Sequence, residues 1–349
     1  MRKELQCALF FCLIAVACEK DIPEPAPGIT PPKISDDSVA SFVIVANEGN
    51  FTWGNASIDK YYLKSATLER GVYRSANGKA LGDIAQSLMM VDSFLFVVVN
   101  NSGRILKLKL PELKELARRD GLNSPRYLLP LNDGTALLSD LGSNALLKIS
   151  LSNLSTLASY SVDGWIEQMA YCSGKVFACD VRNNKVLVIQ PADGKLLSTV
   201  DVGGQPQWIC SDSVSRVWVL CDGGLPGPEK KAPTLYEISA IENTAVKVHT
   251  LGDKDDVVRM LELDILKNRL YYIMKDVYSL GINDGRRTRF ISAADRNFYG
   301  LKLRKNGELF ITDASSFVEK GKLLHYSGSG QFIDEVEMGI IPQAMVCVE

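Results

Sequence analysis

The sequence predicts an all-β chain folded as a seven-bladed β-propeller, and three observations carry that expectation. One short phrase recurs seven times, each repeat unit reads as four short strands, and the two ends of the domain resemble different strands of one blade. The phrase is a long polar side chain, an apolar run and a turn bearing Gly or Asp. Its copies begin at Gln86, Arg126, Gln168, Gln207, Arg259, Tyr299 and Gln343, spaced 40, 42, 39, 52, 40 and 44 residues apart. Strand-rich repeats of about this length mark propeller blades.

Ahead of the repeats, Arg2 and Lys3 precede an apolar run over residues 5–17 that only Gln6 interrupts. A run of this length is too short to span a bilayer, and it predicts a signal peptide over residues 1–17. Ala15, Val16 and Ala17 before Cys18 resemble the bacterial lipoprotein box, which implies cleavage there and a lipid on Cys18. Residues 18–35 follow as a tether. Pro23, Pro25, Pro27, Pro31 and Pro32 keep it extended, with a reach on the order of 45 Å at about 3.1 Å per residue. The acidic Glu19 and Asp21 resemble surface-export signals of Bacteroidetes lipoproteins, so the expected location is the outer membrane, lipid-anchored and facing the exterior.

Residues 36–349 form the propeller. Within one repeat, strands are expected over residues 167–171, 176–179, 186–190 and 196–200, with Ser173-Gly174, Asn183-Asn184 and Asp193-Gly194 supplying the tight turns between them. A blade that is apolar on both faces must pack against neighbours in a closed ring. Residues 341–347 match residues 204–210 in pattern, so the last strand is an innermost one. Residues 41–46 run into Asn47-Glu48-Gly49 as residues 217–221 run into Asp222-Gly223, so the first strand is a second one. The C-terminal strand should therefore complete the N-terminal blade and remove the free sheet edges. An insertion over residues 223–233 accounts for the longest spacing.

Composition narrows the function. With 39 basic and 41 acidic residues, a formal charge of −2 leaves no electrostatic footprint for nucleic acid. No phosphate-binding loop, nucleophile elbow or dinucleotide fingerprint stands in a strand–turn–helix setting. His249 and His325 are the only histidines and fall on separate blades, which argues against an imidazole metal site. Beyond Cys18, the remaining cysteines Cys172, Cys179, Cys210, Cys221 and Cys347 lie in expected strands and suit small apolar fillers.

Chain polarity brings the residue that starts each innermost strand and the loop after each second strand to one end of the channel. The first set is Gln86, Arg126, Gln168, Gln207, Arg259, Tyr299 and Gln343; all donate hydrogen bonds and four are amides. The second set is Glu48, Asn101, Asp140, Asp180, Asp222, Asp276 and Asp313. Each of these also fits a turn former bonded to nearby backbone, and each Gln or Arg also fits a group satisfying rim carbonyls. Phe51, Trp53 and Trp165 join this face, whereas Trp208 and Trp218 suit the packing between blades. Such a funnel fits a large, rigid ligand rich in amides.

The chain from about Val43 onward resembles the BtuG-type surface-exposed vitamin B12-binding propeller lipoproteins of Bacteroidetes, within the YncE-like propellers. Asn47-Glu48-Gly49-Asn50, residues 77–87, Asn100-Asn101-Ser102, Ser124-Pro125-Arg126-Tyr127, Glu167-Gln168-Met169, Asp222-Gly223-Gly224, residues 232–236, Phe298-Tyr299-Gly300-Leu301 and Gly339-Ile340-Ile341-Pro342 carry the resemblance. It implies capture of cobalamin or a related corrinoid, as cargo and not as a cofactor. It also implies delivery to a BtuB-type TonB-dependent outer-membrane transporter, without catalysis. The ligand residues expected are Gln86, Arg126, Gln168, Gln207, Arg259, Tyr299, Gln343, Trp53, Trp165, Asn101, Asp140 and Asp222.

Three other readings compete. The same funnel suits another metal chelate, such as a ferric siderophore. Glu48, Asn101 and Asp222 would have to converge on Ca²⁺ for a lactonase-like enzyme. Residues 223–233 would serve as a contact loop for adhesion or scaffolding.

Overall fold

The computed structural model describes residues 41–349. The expected signal peptide, Cys18 and tether lie outside the described residues. Within them, seven four-stranded antiparallel sheets follow one another as blades. Their innermost strands are Pro342–Val348, Ala85–Val91, Pro125–Pro130, Ile166–Cys172, Pro206–Ser211, Arg259–Asp264 and Phe298–Leu303, for blades 1 to 7. Each touches the next in a ring that closes from blade 7 back to blade 1.

Closure takes the expected form. Pro342–Val348 pairs antiparallel with Phe42–Asn47, the second strand of blade 1, with Phe42 opposite Val348 and Val45 opposite Met345. The strands of blade 4 are Ile166–Cys172, Lys175–Asp180, Lys185–Ile189 and Leu196–Asp201, each within a residue or two of its expected bounds.

Second strands explain why the ring is obligatory. Phe42–Asn47 is buried along its whole length because its sheet partners flank it and a neighbouring blade covers each face. Alternate side chains therefore serve opposite interfaces. In blade 2, Leu95 and Val97 pack toward blade 1 while Phe96 and Val98 pack toward blade 3. In blade 5, Val217 and Val219 face blade 4 and Trp218 and Leu220 face blade 6. One apolar cluster fills each of the seven seams. The five cysteines are free thiols in strands, as fillers would be.

Every innermost strand also breaks register with its second strand near its start. The shifts fall between Ala85 and Ser87, Pro125 and Leu128, Ile166 and Met169, Pro206 and Trp208, Arg259 and Leu261, and Phe298 and Gly300; the seventh lies opposite Val45 and Asn47. Such bulges release a residue from the ladder and redirect its side chain. The repeated phrase is thus a repeated bulge.

One feature departs from the sequence reading. A short helix, Val72–Asn77, occupies the connection from blade 1 to blade 2, between left-handed Gly71 and Gly78, and buries Val72 and Tyr73 in the seam. Trp218 is buried between blades as expected, and half-buried Trp208 packs against the same blade 5–blade 6 cluster while also lining the channel mouth.

The ring leaves no room at Gly300, where an added Cβ would collide with the Gln343 carbonyl and the Thr312 hydroxyl. Gly300→Ala should cost about 1–3 kcal/mol, read from the midpoint of denaturant unfolding. An unchanged midpoint would mean that blades 7 and 1 are less tightly joined than described.

Candidate functional site

At the end where innermost strands begin, a cavity of about 550 Å³ opens on the channel axis. Glu48, Gln86, Arg126, Gln207, Asp222, Arg259, Tyr299 and Gln343 line it, with Trp208 and Phe317. The structure therefore brings together six of the seven residues of the first set. The seventh position belongs to Glu167. Aligned on strand register, Glu167 matches Gln86 and Gln207, while Gln168 sits one residue deeper and lines the channel below. There its carbonyl accepts the Ile209 N–H at 3.3 Å, across the seam to blade 5. Gln168 is thus tied to the fold, a correction to its expected place in the rim.

Much of the ring is bonded to itself. Arg126 grips both oxygens of Glu167 through Nε at 3.1 Å, adds an Nη2 contact at 2.9 Å, and donates through Nη1 to Gln86 Oε1 at 2.6 Å. Glu167 also accepts the Trp165 indole N–H at 2.6 Å. With its amide turned to satisfy both neighbours, Gln343 donates to the Gln86 carbonyl at 3.2 Å and to Glu48 Oε1 at 3.1 Å. One polar belt thus runs through blades 4, 3, 2 and 1. Two members stand outside it: among the described residues, the Gln207 amide and the Arg259 guanidinium have no side-chain hydrogen bond. Arg259 lies instead 4.8 Å from the centre of the Tyr299 ring, which meets Phe317 edge-on at 5.3 Å.

Glu48 is the electrostatic centre. Burial pushes its carboxyl up to about 7, against the opposing pull of the Tyr299 hydroxyl and the Arg126 and Arg259 cations. Glu48 in turn raises the Tyr299 hydroxyl, after burial itself. A carboxyl poised near neutrality in a cleft is a signature of a functional site.

The acidic loop residues behave differently from a ligand set. Asp140 is buried, and its two oxygens accept the Asn123 and Ser124 N–H groups at 3.1 and 2.7 Å, clamping the loop that feeds its innermost strand. Asp180 and Asp313 hold Trp165 N–H and Asn297 N–H in the same way. Asp140 is therefore a loop clamp and does not line the mouth, a second correction. Asp222 does line the mouth, with one oxygen accepting Val258 N–H at 3.0 Å and Lys230 4.0 Å from the other. Burial raises its carboxyl too.

Asn101 lies elsewhere. It donates to Asp83 Oδ2, which also holds the Thr52 N–H at 2.8 Å, so its contribution is to fasten the loop after Glu48. Asn101 accordingly does not join Glu48 and Asp222 at the mouth, and the described residues hold no cluster of three or more metal-ligating His, Cys, Asp or Glu side chains. That same loop carries Phe51 and Trp53, exposed by 66% and 75%, and its Asn50 amide reaches the Phe317 carbonyl at 3.1 Å. Trp165 lines a neighbouring cavity outside the mouth.

Residues 41–254 match the family described as a domain of unknown function, DUF5074. No curated protein matches the chain. Among solved structures, a quinonprotein alcohol dehydrogenase-like protein from Bacteroides thetaiotaomicron is similar over 88% of this chain and 78% of its own, at 18% identity and a TM-score of 0.68. A candidate 6-phosphogluconolactonase from Bacteroides fragilis is similar over 90% of this chain and all of its own, at 11% identity and a TM-score of 0.65. A functionally unknown protein from Desulfotomaculum acetoxidans is similar over 88% and 99%, at 14% identity and a TM-score of 0.66. At such identities these likenesses establish the fold alone.

Two outcomes test the site. Because the folded Glu48 carboxyl titrates near 7 instead of the ordinary 4.5, its contribution to stability is fully present below about 4.5 and is lost as pH rises through about 7. E48Q should keep that contribution, gaining up to roughly 3 kcal/mol over wild type at pH 8 and little at pH 4.5, as read by thermal unfolding. Parallel profiles would contradict the assignment. R126A leaves the Glu167 carboxylate, 4% exposed, without its cation, and should cost about 3 kcal/mol in chemical denaturation; a neutral outcome would mean the belt is ornamental.

Proposed function

The chain belongs to the DUF5074 family, and we propose that this member captures cobalamin or a related corrinoid over the Glu48 mouth of its propeller. The observation that carries the reading is the division of labour in the rim. Arg126, Glu167, Gln86 and Gln343 hold one another rigid, while among the described residues the side-chain N–H groups of Gln207 and Arg259 make no hydrogen bond and line the same mouth as the Tyr299 and Phe317 rings. Preorganised polar groups next to aromatic faces suit a large ligand that combines amide side chains with flat apolar surface.

A cavity of about 550 Å³ accommodates an edge of such a ligand. The rest would lie across the face, where Phe51 and Trp53 are exposed. Glu48, near its titration point, would offer either a donor or an acceptor to a ligand amide. Binding without turnover is the proposed activity. The resemblance noted in the sequence supports this cargo and a handover to a TonB-dependent outer-membrane transporter. The expected leader over residues 1–17, followed by Cys18, supports a lipid anchor and an outer-membrane address facing the exterior.

Isothermal titration of the purified protein with cyanocobalamin tests the proposal. Wild type should bind, and Q207A/R259A should bind at least tenfold more weakly, a loss of about 1.4 kcal/mol, with an unchanged melting temperature. Retention of ferric catecholate in place of cyanocobalamin after desalting would transfer the reading to siderophores. Retention of neither would overturn it.

A further inference from the structure

Beside the mouth lies a second cavity, about 630 Å³, between blades 4 and 5. Trp165 lines it, with its indole N–H committed to Glu167, so that it offers the cavity apolar ring surface. Tyr236, Val202 and Leu225 contribute further apolar surface. The outer wall is the insertion over residues 223–233, and that insertion is fastened in place. Gly223 N–H donates to the Gly204 carbonyl at 2.8 Å, Lys231 N–H to the Gly223 carbonyl at 2.9 Å, and the Lys230 ammonium to the Asp256 carbonyl at 2.7 Å.

This cavity is larger than the mouth and is walled by two aromatic rings, so it is a preformed slot and not a gap left by a loose loop. One polar atom of the wall is buried beneath its surface. The Thr234 hydroxyl, with the Cys221 sulfur as neighbour, has no nitrogen or oxygen partner among the described residues. Two cations, Arg182 and Lys231, also line the cavity with one carboxylate, Glu229, and Arg182 lies 3.6 Å from the exposed Asp163 carboxylate. Mouth and slot share a boundary: Asp222 lines one and Gly223 the other, and Trp165 reaches the rim through Glu167 and Arg126.

We propose that this slot is a separate subsite for a planar aromatic base carried on an anionic arm. The base stacks against Trp165 and Tyr236, and the arm's phosphate is met by Arg182 and Lys231. Stacking of one base on aromatic side chains contributes about 1–3 kcal/mol. The identification of that arm with the nucleotide arm of a corrinoid rests on the proposed function; the affinity of the slot for a flat ring does not.

Ala232 lines the slot and not the mouth, so a large side chain there is placed to fill the slot. Titrations of wild type and A232W with cyanocobalamin, and with dicyanocobinamide, which lacks the base, compare the two sites. Wild type should prefer cyanocobalamin by roughly tenfold, and A232W should lose that preference while keeping its affinity for dicyanocobinamide. Equal wild-type affinities for the two corrinoids, or an unchanged preference in A232W, overturn the subsite. If wild type binds neither corrinoid, the proposed function fails and free 5,6-dimethylbenzimidazole reads the slot by ligand-observed NMR. Line broadening that A232W abolishes then supports the subsite, and broadening that is equal in both proteins or absent from wild type overturns it.

Discussion

The pairing of Pro342–Val348 with Phe42–Asn47 is the constraint on which the rest depends. It joins the two ends of the described chain in one sheet, closes the ring and covers the inner edge of blade 1. Without it, the seam holding Val43, Val45, Phe310 and Met345 would lie open, as would the one holding Ile44, Leu95 and Val346. It also sets the chemistry, because the bulge in this pairing delivers Gln343 to Glu48 and to the Gln86 carbonyl. Fold closure and site assembly are therefore one event.

Rigidity at the rim follows from the same geometry. Innermost strands of neighbouring blades do not pair through their backbones, so side chains must satisfy what the ladder leaves free. Ser87 donates to the Arg126 carbonyl at 2.7 Å, Ser211 to the Tyr171 carbonyl at 2.9 Å, and Gln168 accepts from Ile209. Deeper in the channel, Lys302 and Glu262 pair at 3.0 Å across blades 6 and 7. Once those needs are met, what remains unpaired is informative. Among the described residues the side-chain donors of Gln207 and Arg259 make no hydrogen bond, and they line the mouth with Glu48, whose carboxyl burial pushes up to about 7.

The architecture was legible because a propeller repeats its demands: seven phrases, turn residues at fixed offsets and a last strand that reads as innermost. The site was legible only to within a residue. Counting copies of the phrase selects Gln168, yet the bulge in blade 4 spans two residues, and it is Glu167 that aligns with Gln207. A side-by-side comparison of Ile166-Glu167 with Pro206-Gln207 held the signal, since an apolar residue precedes the rim residue in both. Asp140 carried both of its possible meanings in sequence, clamp and ligand; only the Asn123 and Ser124 N–H groups decide between them. Glu48 was visible as a loop acid, but its burial among Tyr299, Arg126 and Arg259 arises from three other blades and no local pattern reports it. The slot beside Trp165 was likewise hidden, because its walls come from the ends of two blades and an insertion.

Anomalous scattering from the cobalt of cyanocobalamin, in crystals of this protein grown with the vitamin, tests the central claim most directly. The account predicts a single cobalt peak above the mouth, with Gln207 and Arg259 within hydrogen-bonding reach of the corrin amides. A peak on another face of the propeller, or none at saturating ligand, would contradict it.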